Sequence, residues 1–312
     1  MLKMQDVQKY VPDTECRNPI SADIDVIETV EMLSIINEED KKIALAVENE
    51  LSHIANTVEV AERTIRGGGR VVYMGCGTSG RLGVLDASEC PPTYNVAEDW
   101  FMGIIAGGRD ALVKSSEGAE DSAELGVNDL KAINFSKKDM LIGIAASGRT
   151  PYVIGGIKYA GSLGASTACV VCSKNSPIAK TTLDTSGIAI SVDTGAEVIT
   201  GSTRMKAGTG TKMVLNMIST GTMVRLGKVY GNLMVDLKPA NSKLVIRAQN
   251  IICEITNCTE EEAADFLTKA NNNVKAAIVM IKEGIDLHTA EKRLTENNGL
   301  LKKCIRNRQE IT

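Results

Sequence analysis

Aromatic side chains are scarce in this sequence, which holds one tryptophan, six tyrosines and three phenylalanines among 312 residues. Proteins that bind single-stranded nucleic acid stack bases on aromatic rings, and so few rings argue against that class. Neither sign of charge dominates, because 35 lysines and arginines face 39 aspartates and glutamates. Binding to a polyanion needs a cationic surface. We therefore expect no nucleic-acid partner.

Long apolar runs are also lacking. Stretches such as 140–146 fall far below the ~18 residues that span a bilayer, and residues 1–6 show no apolar segment of a signal peptide. We expect a cytoplasmic protein that binds no membrane and keeps its eight cysteines reduced. Cys169 and Cys172 have zinc-ligand spacing, but they lie in an apolar strand pattern without a second pair, which predicts core residues. No metal site and no cofactor is predicted.

Short apolar segments alternate with helical patterns in the middle of the chain. This alternation is typical of βαβ units, in which helices cover both faces of a parallel sheet. The sequence therefore predicts an α/β fold. The strands are predicted over residues 70–74, 101–106, 140–145, 167–172 and 188–192.

Helical patterns flank this region on both sides. Apolar residues three or four positions apart, from Ile43 to Ile65, predict one long helix that ends at the glycines 67–69. Another helix is predicted over 202–226. Glycine then becomes rare, and short helices are predicted over 244–256, 260–270 and 274–283, with Thr259 as an N-cap. The expected organisation is an N-terminal helical segment (1–54), an α/β domain (55–230) and a small, ubiquitin-associated-like helical bundle (242–312).

A strand, a small polar turn and the start of a helix occur together twice. The turns are Gly75-Cys76-Gly77-Thr78-Ser79-Gly80-Arg81 and Ala146-Ser147-Gly148-Arg149-Thr150. Small residues let the backbone approach an anion, and amide groups at a helix N-terminus donate hydrogen bonds to it. Both turns should lie at the carboxyl edge of the sheet, where ligands bind. The candidate phosphate-binding residues are Gly77, Thr78, Ser79, Ser147, Gly148 and Thr150.

Two other interpretations of these turns remain open. They can be ordinary tight turns of an α/β fold, and residues 75–80 also fit the G-x-G-x-x-G pattern of a dinucleotide site. The hydroxyl-rich character of both turns favours a phosphate monoester, as does the lack of a clear acidic residue after the second strand to hold a ribose.

Four stretches of the sequence carry a family resemblance. They are residues 75–94 with Asp86-Ala87-Ser88-Glu89-Cys90-Pro91-Pro92-Thr93-Tyr94, then Glu117-Gly118-Ala119-Glu120-Asp121, Gly195-Ala196-Glu197-Val198-Ile199-Thr200-Gly201-Ser202-Thr203-Arg204-Met205-Lys206, and Asp236-Leu237-Lys238-Pro239-Ala240-Asn241. These stretches resemble the N-acetylmuramic acid 6-phosphate etherase family, and the third is shared with glucokinase regulatory proteins. The resemblance runs from Thr14-Glu15 to the helical tail. It implies a sugar isomerase domain, which is a three-layer sandwich around a five-stranded parallel sheet, and a homodimer with its active site near the subunit boundary.

The resemblance also implies a reaction. The family cleaves the C3 D-lactyl ether of N-acetylmuramic acid 6-phosphate to N-acetylglucosamine 6-phosphate and D-lactate, by elimination and then hydration, in the catabolism of cell-wall amino sugars. This route needs an acid and a base, which two carboxyl groups can supply. Glu89 and Glu120 match the catalytic pair of the family.

Helix ends suggest how the two roles divide. Pro91-Pro92 should end the helix that carries Glu89, and Glu120 should lie near the start of a helix. The negative end of a helix dipole suits a protonated carboxyl and the positive end suits a carboxylate. Glu89 is therefore predicted as the proton donor and Glu120 as the base.

A third cluster surrounds the start of the helix predicted over 202–226. By resemblance these residues help to form the sugar pocket; without it they are simply the polar beginning of a helix. Lys206 or Lys238 is the candidate to balance the phosphate charge. The cluster comprises Glu197, Ser202, Thr203, Arg204 and Lys206.

Two alternative functions remain beside the etherase. A phosphosugar aldose–ketose isomerase on the same fold would also use a carboxylate base near C1 and C2. A non-catalytic phosphosugar sensor would be similar to the glucokinase regulators, although those are longer, with two tandem sugar isomerase domains. In each case the partner is a small phosphosugar, and release of lactate distinguishes the etherase.

Overall fold

The computed structural model describes residues 11–114, 118–237, 239 and 241–305. The chain forms two compact units. Unit 1 comprises Met1–Ser88 and Glu98–Gly221, and unit 2 comprises Glu89–Ala97 and Thr222–Thr312. Across the described ranges, every helix is too short or too polar to traverse a lipid bilayer.

Unit 1 begins with two short 3-10 turns, Asp13–Glu15 and Pro19–Ser21. Helices α1 (Thr29–Glu48) and α2 (Leu51–Arg66) follow. Helix α2 ends directly before the glycines 67–69, which confirms the predicted end of the helical stripe.

The prediction of one helix from Ile43 to Ile65 is wrong, because the stripe crosses a break between α1 and α2. At the break the amide of Glu50 donates to the carbonyl oxygen of Val47, 3.0 Å away, in a tight turn. The Glu50 carboxylate accepts a hydrogen bond from the backbone amide of Ser191, at 3.2 Å. A contact with a distant strand thus accompanies a bend that a regular apolar spacing does not reveal.

The predicted five-stranded parallel sheet is confirmed. Its strands are β1 (Val71–Gly75), β2 (Phe101–Ile105), β3 (Met140–Ala145), β4 (Ser166–Val171) and β5 (Ile188–Ser191). Their order is β2-β1-β3-β4-β5, and every pairing is parallel. The residues of β1 and β3 are all buried, as expected for central strands covered on both faces.

Helices cover both faces of this sheet. The connections contain α3 (Gly77–Tyr94), α4 (Ala123–Ala132), α5 (Pro151–Ser162), α6 (Pro177–Asp184) and then α7 (Lys206–Arg225). Val72 packs with Tyr152 of α5 on one face. The next residue, Tyr73, points to the opposite face, where its hydroxyl donates to Asp86 of α3 at 3.2 Å. The layers are therefore helix, sheet and helix.

Unit 2 is built on its own apolar core, which includes Val235, Ile252 and Ile278. A small hairpin of β6 (Val229–Tyr230) and β7 (Leu233–Met234) precedes the helices. The helices are α8 (Ser242–Thr256), α9 (Glu260–Lys269), α10 (Val274–Glu283), α11 (Leu287–Glu296) and α12 (Leu301–Cys304).

Local capping explains where these helices begin. The Thr259 hydroxyl accepts from the amide of Glu262, and the Glu262 carboxylate accepts from the amide of Thr259. This reciprocal pair confirms the predicted N-cap. Asn241 caps α8 by accepting from the amide of Leu244 at 3.0 Å. The neighbouring Lys238 lies outside the described residues.

Asp236 ties the hairpin to a helix of the same unit. Its carboxylate lies 2.7 Å from the ammonium of Lys228 and 2.9 Å from that of Lys275. Lys275 is 10% exposed and also lies 3.4 Å from the carbonyl oxygens of Gly227 and Gly299. Asp236 and Asn241, which belong to the resembling stretch 236–241, therefore have structural partners in unit 2.

Candidate functional site

The two polar turns follow β1 and β3, which are neighbours in the sheet. The connection from β1 leads outward to β2, whereas β3 leads to β4 on the other side. This strand order reverses direction between β1 and β3. In open α/β sheets such a switch point leaves a crevice at the carboxyl ends of the strands, and ligands bind there. The topology therefore places both turns at the crevice.

The first turn is closed by two glycines. A side-chain carbon on Gly75 would lie 2.8 Å from the amide nitrogen of Gly80, and one on Gly80 would lie 2.7 Å from the carbonyl oxygen of Gly75. Only residues without side chains permit this approach. Helix α3 begins at Gly77, so Thr78 and Ser79 lie in its first turn. The first amides of a helix have no partner within it and are available to an anion.

The second turn depends on Gly148. Its φ of +67° lies in the left-handed region, and a side-chain carbon there would lie 2.3 Å from Cβ of Ser176. The Gly148 carbonyl accepts from the amide of Ile178 at 2.8 Å, which joins this turn to α6. Thr150 is the N-cap of α5, but its hydroxyl makes no capping hydrogen bond.

A cavity of about 760 Å³ opens at this edge of unit 1. Its volume falls within the range of small-molecule sites. Both turns contribute to its wall, so five of the six candidate phosphate-binding residues line it, and Gly148 does not. The lining consists of Glu15, Cys76, Gly77, Thr78, Ser79, Glu120, Asp121, Ala123, Ile144, Ala145, Ala146, Ser147, Arg149, Thr150, Pro151, Ile154, Gly155, Lys158, Pro177, Thr181, Gly201 and Thr203.

Glu120 is an exposed residue of the cavity wall. It lies in the 3-10 turn Ala119–Asp121, two residues before the N-cap of α4. That N-cap is Ser122, whose hydroxyl accepts from the amide of Leu125 at 3.1 Å. The prediction that Glu120 lies near the start of a helix is confirmed.

Glu89 has a different location. It lies on α3, is exposed and belongs to the segment Glu89–Ala97 of unit 2; it is not part of the cavity wall just described. The prediction that Pro91-Pro92 end this helix is wrong. Both prolines lie inside α3, which continues to Tyr94.

The helix passes the prolines because their fixed φ is compatible with helical geometry, even though each withdraws a hydrogen-bond donor. It ends at Asn95, which has a φ of +50° and donates its amide to the carbonyl of Pro91 at 2.9 Å. Glu89 is therefore more than one turn from the helix end. The dipole acts mainly within the last turn, so this argument for Glu89 as the proton donor is lost.

Cys76 lines the cavity between the two strands. Burial raises the pKa of its thiol to about 12, and the negative charges of Glu120 and Asp121 add to the effect. Since the thiolate is the reactive form of cysteine, these surroundings disfavour nucleophilic chemistry at Cys76. Cys169 and Cys172 are fully buried, as predicted for core residues.

The cluster before α7 divides between the cavity wall and the interior. Thr203 lines the cavity, whereas Glu197, Ser202 and Lys206 are not among the described residues of its wall. Glu197 is fully buried and its carboxylate accepts from the amides of Lys206 and Ala207, at 3.0 and 2.9 Å. Burial raises the pKa of Glu197, against the opposing effect of these two bonds. Arg204 is exposed.

Lys206 is also buried, and its side chain forms an ion pair inside unit 1. Its ammonium lies 2.6 Å from the carboxylate of Glu39, and the two side chains are 3% and 4% exposed. Burial alone would raise the pKa of Glu39, but hydrogen bonds from Lys206 and Lys42 lower it to about 2. Asn18 donates to the same carboxylate at 3.0 Å. The described contacts of Lys206 thus satisfy its charge inside unit 1.

Several charged residues of the cavity wall were not among the predicted site residues. Arg149 and Asp121 adjoin predicted residues in the sequence, and this proximity was the available signal. Lys158 follows one helical turn after Ile154, which also lines the cavity. Glu15 comes from the N-terminal turn, about sixty residues before the first strand-turn motif, and no local pattern links it to the site.

Comparison with protein families identifies related domains in both parts of the chain. Residues 53–161 match the family described as the glucokinase regulatory protein N-terminal SIS domain. Residues 231–290 match the C-terminal lid domain of glucokinase regulatory protein.

Some relatives are similar to this chain over almost its whole length. A protein of Clostridium beijerinckii named N-acetylmuramic acid 6-phosphate etherase is 52% identical over 298 residues, which cover 96% of each chain. A protein of Clostridium botulinum with the same name is 55% identical over 293 residues, covering 94% of this chain and 96% of the other. Among solved structures, phosphoheptose isomerase from Neisseria gonorrhoeae is 14% identical, with a TM-score of 0.48, and covers 62% of this chain and 97% of that chain.

Proposed function

Because the chain belongs to the N-acetylmuramic acid 6-phosphate etherase family, we propose that it cleaves the C3 D-lactyl ether of N-acetylmuramic acid 6-phosphate. The products are N-acetylglucosamine 6-phosphate and D-lactate, so the enzyme is a carbon–oxygen lyase of amino-sugar catabolism. The structural observation that carries the proposal is the cavity that joins both hydroxyl-rich turns to Glu120.

The phosphate is bound by the two turns. Thr78, Ser79, Ser147 and Thr150 line one cavity, and the first two lie at the start of α3 while Thr150 precedes α5. Hydroxyl groups and helix N-terminal amides are neutral donors, and they form hydrogen bonds to a phosphate dianion. This arrangement favours a phosphate monoester over a neutral sugar.

The reaction proceeds by elimination followed by hydration. In the ring-opened sugar, the C1 aldehyde acidifies the proton on C2. Glu120 removes this proton, the C2–H electron pair forms the C2–C3 double bond, and the C3–O bond breaks. The ether oxygen departs with lactate and takes up a proton. Water then adds at C3 and a proton returns to C2, which balances the sequence.

The acid and the base have unequal structural support. Glu120 lines the same cavity as the phosphate-binding turns, which supports its role as the base. Glu89 as the proton donor rests on its match to the family motif alone. Glu197 and Lys206 act indirectly in this proposal, because Glu197 accepts from the amides at the start of α7 and the ammonium of Lys206 pairs with Glu39. Ser202 keeps the sugar-binding role that the resemblance implies.

The experiment that tests the function is incubation with N-acetylmuramic acid 6-phosphate and an assay for D-lactate. In ¹⁸O-water, the label is expected at C3 of the amino sugar, apart from exchange at the aldehyde, and in D₂O deuterium is expected at C2. Hydrolysis at the lactyl carbon would instead place ¹⁸O in lactate and leave the C2 hydrogen in place. Label in the lactate hydroxyl would overturn the elimination mechanism.

The same experiment separates the alternative functions. An aldose–ketose isomerase would exchange the C2 hydrogen without releasing lactate, and a phosphosugar sensor would do neither. The names of the relatives do not favour these alternatives. A control with N-acetylmuramate, which lacks the 6-phosphate, tests the assignment of the two turns to the phosphate. Comparable turnover of both sugars would contradict that assignment.

The proposal includes a cytoplasmic homodimer. Helix α1 exposes Val30, Leu33 and Leu45, with 77%, 55% and 64% of each residue accessible, and these side chains are the candidate interface residues. Light scattering coupled to size exclusion measures the molar mass; a mass of one chain at working concentration would contradict the dimer. The proposed division into segments 1–54, 55–230 and 242–312 is tested by limited proteolysis.

A further inference from the structure

We propose that Arg149 binds the carboxylate of the lactyl group, and that Glu15 occupies this arginine until the substrate carboxylate replaces it. The inference rests on the proposed function and adds to it the residue that distinguishes the lactyl ether from the product. It follows from the charges of the cavity wall, from the contrast between two arginines in equivalent turns, and from the anchoring of Glu15.

The first step is the balance of charge. The substrate carries two anionic groups, a phosphate at C6 and a carboxylate on the substituent at O3. The phosphate is served by neutral donors of the two turns, as proposed above. The charged side chains among the described lining residues are three acids, Glu15, Glu120 and Asp121, and two cations, Arg149 and Lys158. A carboxylate entering a wall with three acids needs one of these cations.

Arg149 is the better suited of the two cations. A guanidinium group presents a planar fork that matches a carboxylate in two parallel hydrogen bonds, and it is more weakly hydrated than an ammonium group. Arg149 also binds a carboxylate already, since Nη2 donates to Oε1 of Glu15 at 3.3 Å. Lys158 is exposed on α5 and has the more flexible point charge.

The pair between Arg149 and Glu15 can be exchanged at low cost. The two side chains are 46% and 38% exposed, and the contact is a single one. Exposed ion pairs of this kind contribute little to stability, because solvent screens them. Because the bound phosphate holds the substrate in the cavity, the carboxylate of the lactyl group can compete with Glu15 for the arginine.

The repeated turn supplies an internal comparison. Arg81 occupies in the first Ser-Gly-Arg turn the place that Arg149 occupies in the second. The guanidinium of Arg81 donates to the carbonyl oxygens of Leu112 and Lys114, at 3.0 and 3.1 Å, and Arg81 is not among the described lining residues. One arginine therefore holds a loop, whereas the other faces the cavity and carries a carboxylate partner.

Glu15 is brought to the cavity by an anchored segment. The amide of Asp13 donates to Oγ of Ser173 at 2.9 Å, and the carbonyl of Thr14 accepts from the amide of Gly201 at 3.2 Å. A side-chain carbon on Gly201 would lie 3.1 Å from Oε2 of Glu15. The N-terminal turn thus holds a resident carboxylate next to Arg149, in the position of a competitor for the lactyl carboxylate.

The test compares two ligands that differ in the lactyl group. Steady-state kinetics gives kcat/KM for N-acetylmuramic acid 6-phosphate, and competitive inhibition gives Ki for N-acetylglucosamine 6-phosphate. In Arg149→Gln, we expect kcat/KM to fall by about 10- to 100-fold, as for loss of a charge-assisted bond, while Ki changes less than threefold. Arg149→Lys should recover part of the loss. Glu15→Gln removes the competitor and should lower KM for N-acetylmuramic acid 6-phosphate without affecting Ki. An unchanged or raised KM would overturn the role of Glu15.

Lys158→Gln is the matched control, because it removes the other cation of the same wall. It should change kcat/KM for N-acetylmuramic acid 6-phosphate and Ki for N-acetylglucosamine 6-phosphate by the same small factor. Equal losses for both ligands in Arg149→Gln would assign the arginine to the phosphate and overturn the proposal. An unchanged kcat/KM in Arg149→Gln would also overturn it, because the arginine would then contribute only its contact with Glu15. A loss in Lys158→Gln that affects N-acetylmuramic acid 6-phosphate alone would assign the role to that lysine. An unchanged Ki also shows that the variant site is folded.

The outcome remains separable from the proposed function. If the wild-type protein releases no lactate, the proposed function fails. Titration calorimetry of both sugar phosphates on the wild type and on Arg149→Gln then measures the same selectivity at equilibrium. A wild type that binds both sugars equally, or an Arg149→Gln variant with unaltered selectivity, would overturn the inference independently of catalysis.

Discussion

Replacing Lys206 by methionine removes one half of the ion pair buried in unit 1. The ammonium of Lys206 lies 2.6 Å from the Glu39 carboxylate, and the two side chains are only 3% and 4% exposed. Methionine retains the length and the apolar stem but leaves Glu39 with Asn18 and Lys42 alone. A buried carboxylate without its main partner is costly, because the low-dielectric surroundings do not replace water.

The magnitude follows from the ion pair and from its pKa. Breaking a buried pair costs about 3–5 kcal/mol. The partners of Glu39 lower its pKa from 4.5 to about 2, and at 1.36 kcal/mol per pH unit this corresponds to about 3 kcal/mol. Because Lys42 and Asn18 remain in the variant, we expect the lower value, a loss of about 3 kcal/mol in the free energy of unfolding at pH 7.

The pH dependence gives an independent check. A carboxyl whose pKa is lowered in the folded state stabilises it fully above the unfolded pKa, near 4.5, and this contribution is lost as the pH falls toward 2. Lys206→Met also favours protonation of Glu39. The difference in stability between wild type and variant should therefore be largest at neutral pH and shrink as the pH falls from 4.5 toward 2.

Urea denaturation followed by circular dichroism measures these differences. The double variant Glu39→Gln/Lys206→Met removes both charges and should recover most of the loss. Lys42→Met is the control, since that lysine reaches Glu39 from the surface with a 57% exposed side chain and should cost less than about 1 kcal/mol. Unchanged stability of Lys206→Met would refute the reasoning. Full stability with selective loss of phosphosugar affinity would instead support the sugar-pocket role predicted from the sequence.

Two further predictions concern the chemistry. Glu120→Gln and Glu89→Gln should each lower kcat by about 10²–10⁴-fold with the fold preserved, because elimination needs a base and an acid; near-normal lactate release from a folded variant would remove that residue from the mechanism. Ser79→Ala and Ser147→Ala should weaken binding of N-acetylglucosamine 6-phosphate by about 1–3 kcal/mol in calorimetry, through loss of a hydrogen bond to the phosphate. Unaltered affinity in both variants would contradict the assignment of the two turns to the phosphate.

The sheet and its two turns could be predicted because their signals are local. Each strand is a short apolar run, and each is followed by small polar residues where the chain must turn sharply. Strand β3 and helix α10 have the predicted bounds, Met140–Ala145 and Val274–Glu283. The break between α1 and α2 had no such signal, because the apolar residues from Ile43 to Ile65 keep the same spacing of three or four positions across it.

The cavity wall could be predicted only in part. Residues of the two turns and Glu120 belong to sequence motifs, and the order of the strands brings the turns together. Glu15 reaches the wall only because the N-terminal turn packs against Ser173 and Gly201, which follow it by more than 150 residues. A contact of that separation leaves no periodic trace in a single sequence.

The stretch 195–206 shows that not every residue of a specific motif lines the ligand site. Glu197 binds the amides at the start of α7, and Lys206 neutralises Glu39 in the interior. Gly201 holds the turn that carries Glu15 and lines the cavity together with Thr203. The stretch therefore positions a helix and the N-terminal turn at the edge of the site. Substitution at Glu197 or Lys206 should act on the site through the fold, whereas substitution at Thr203 changes the cavity wall itself.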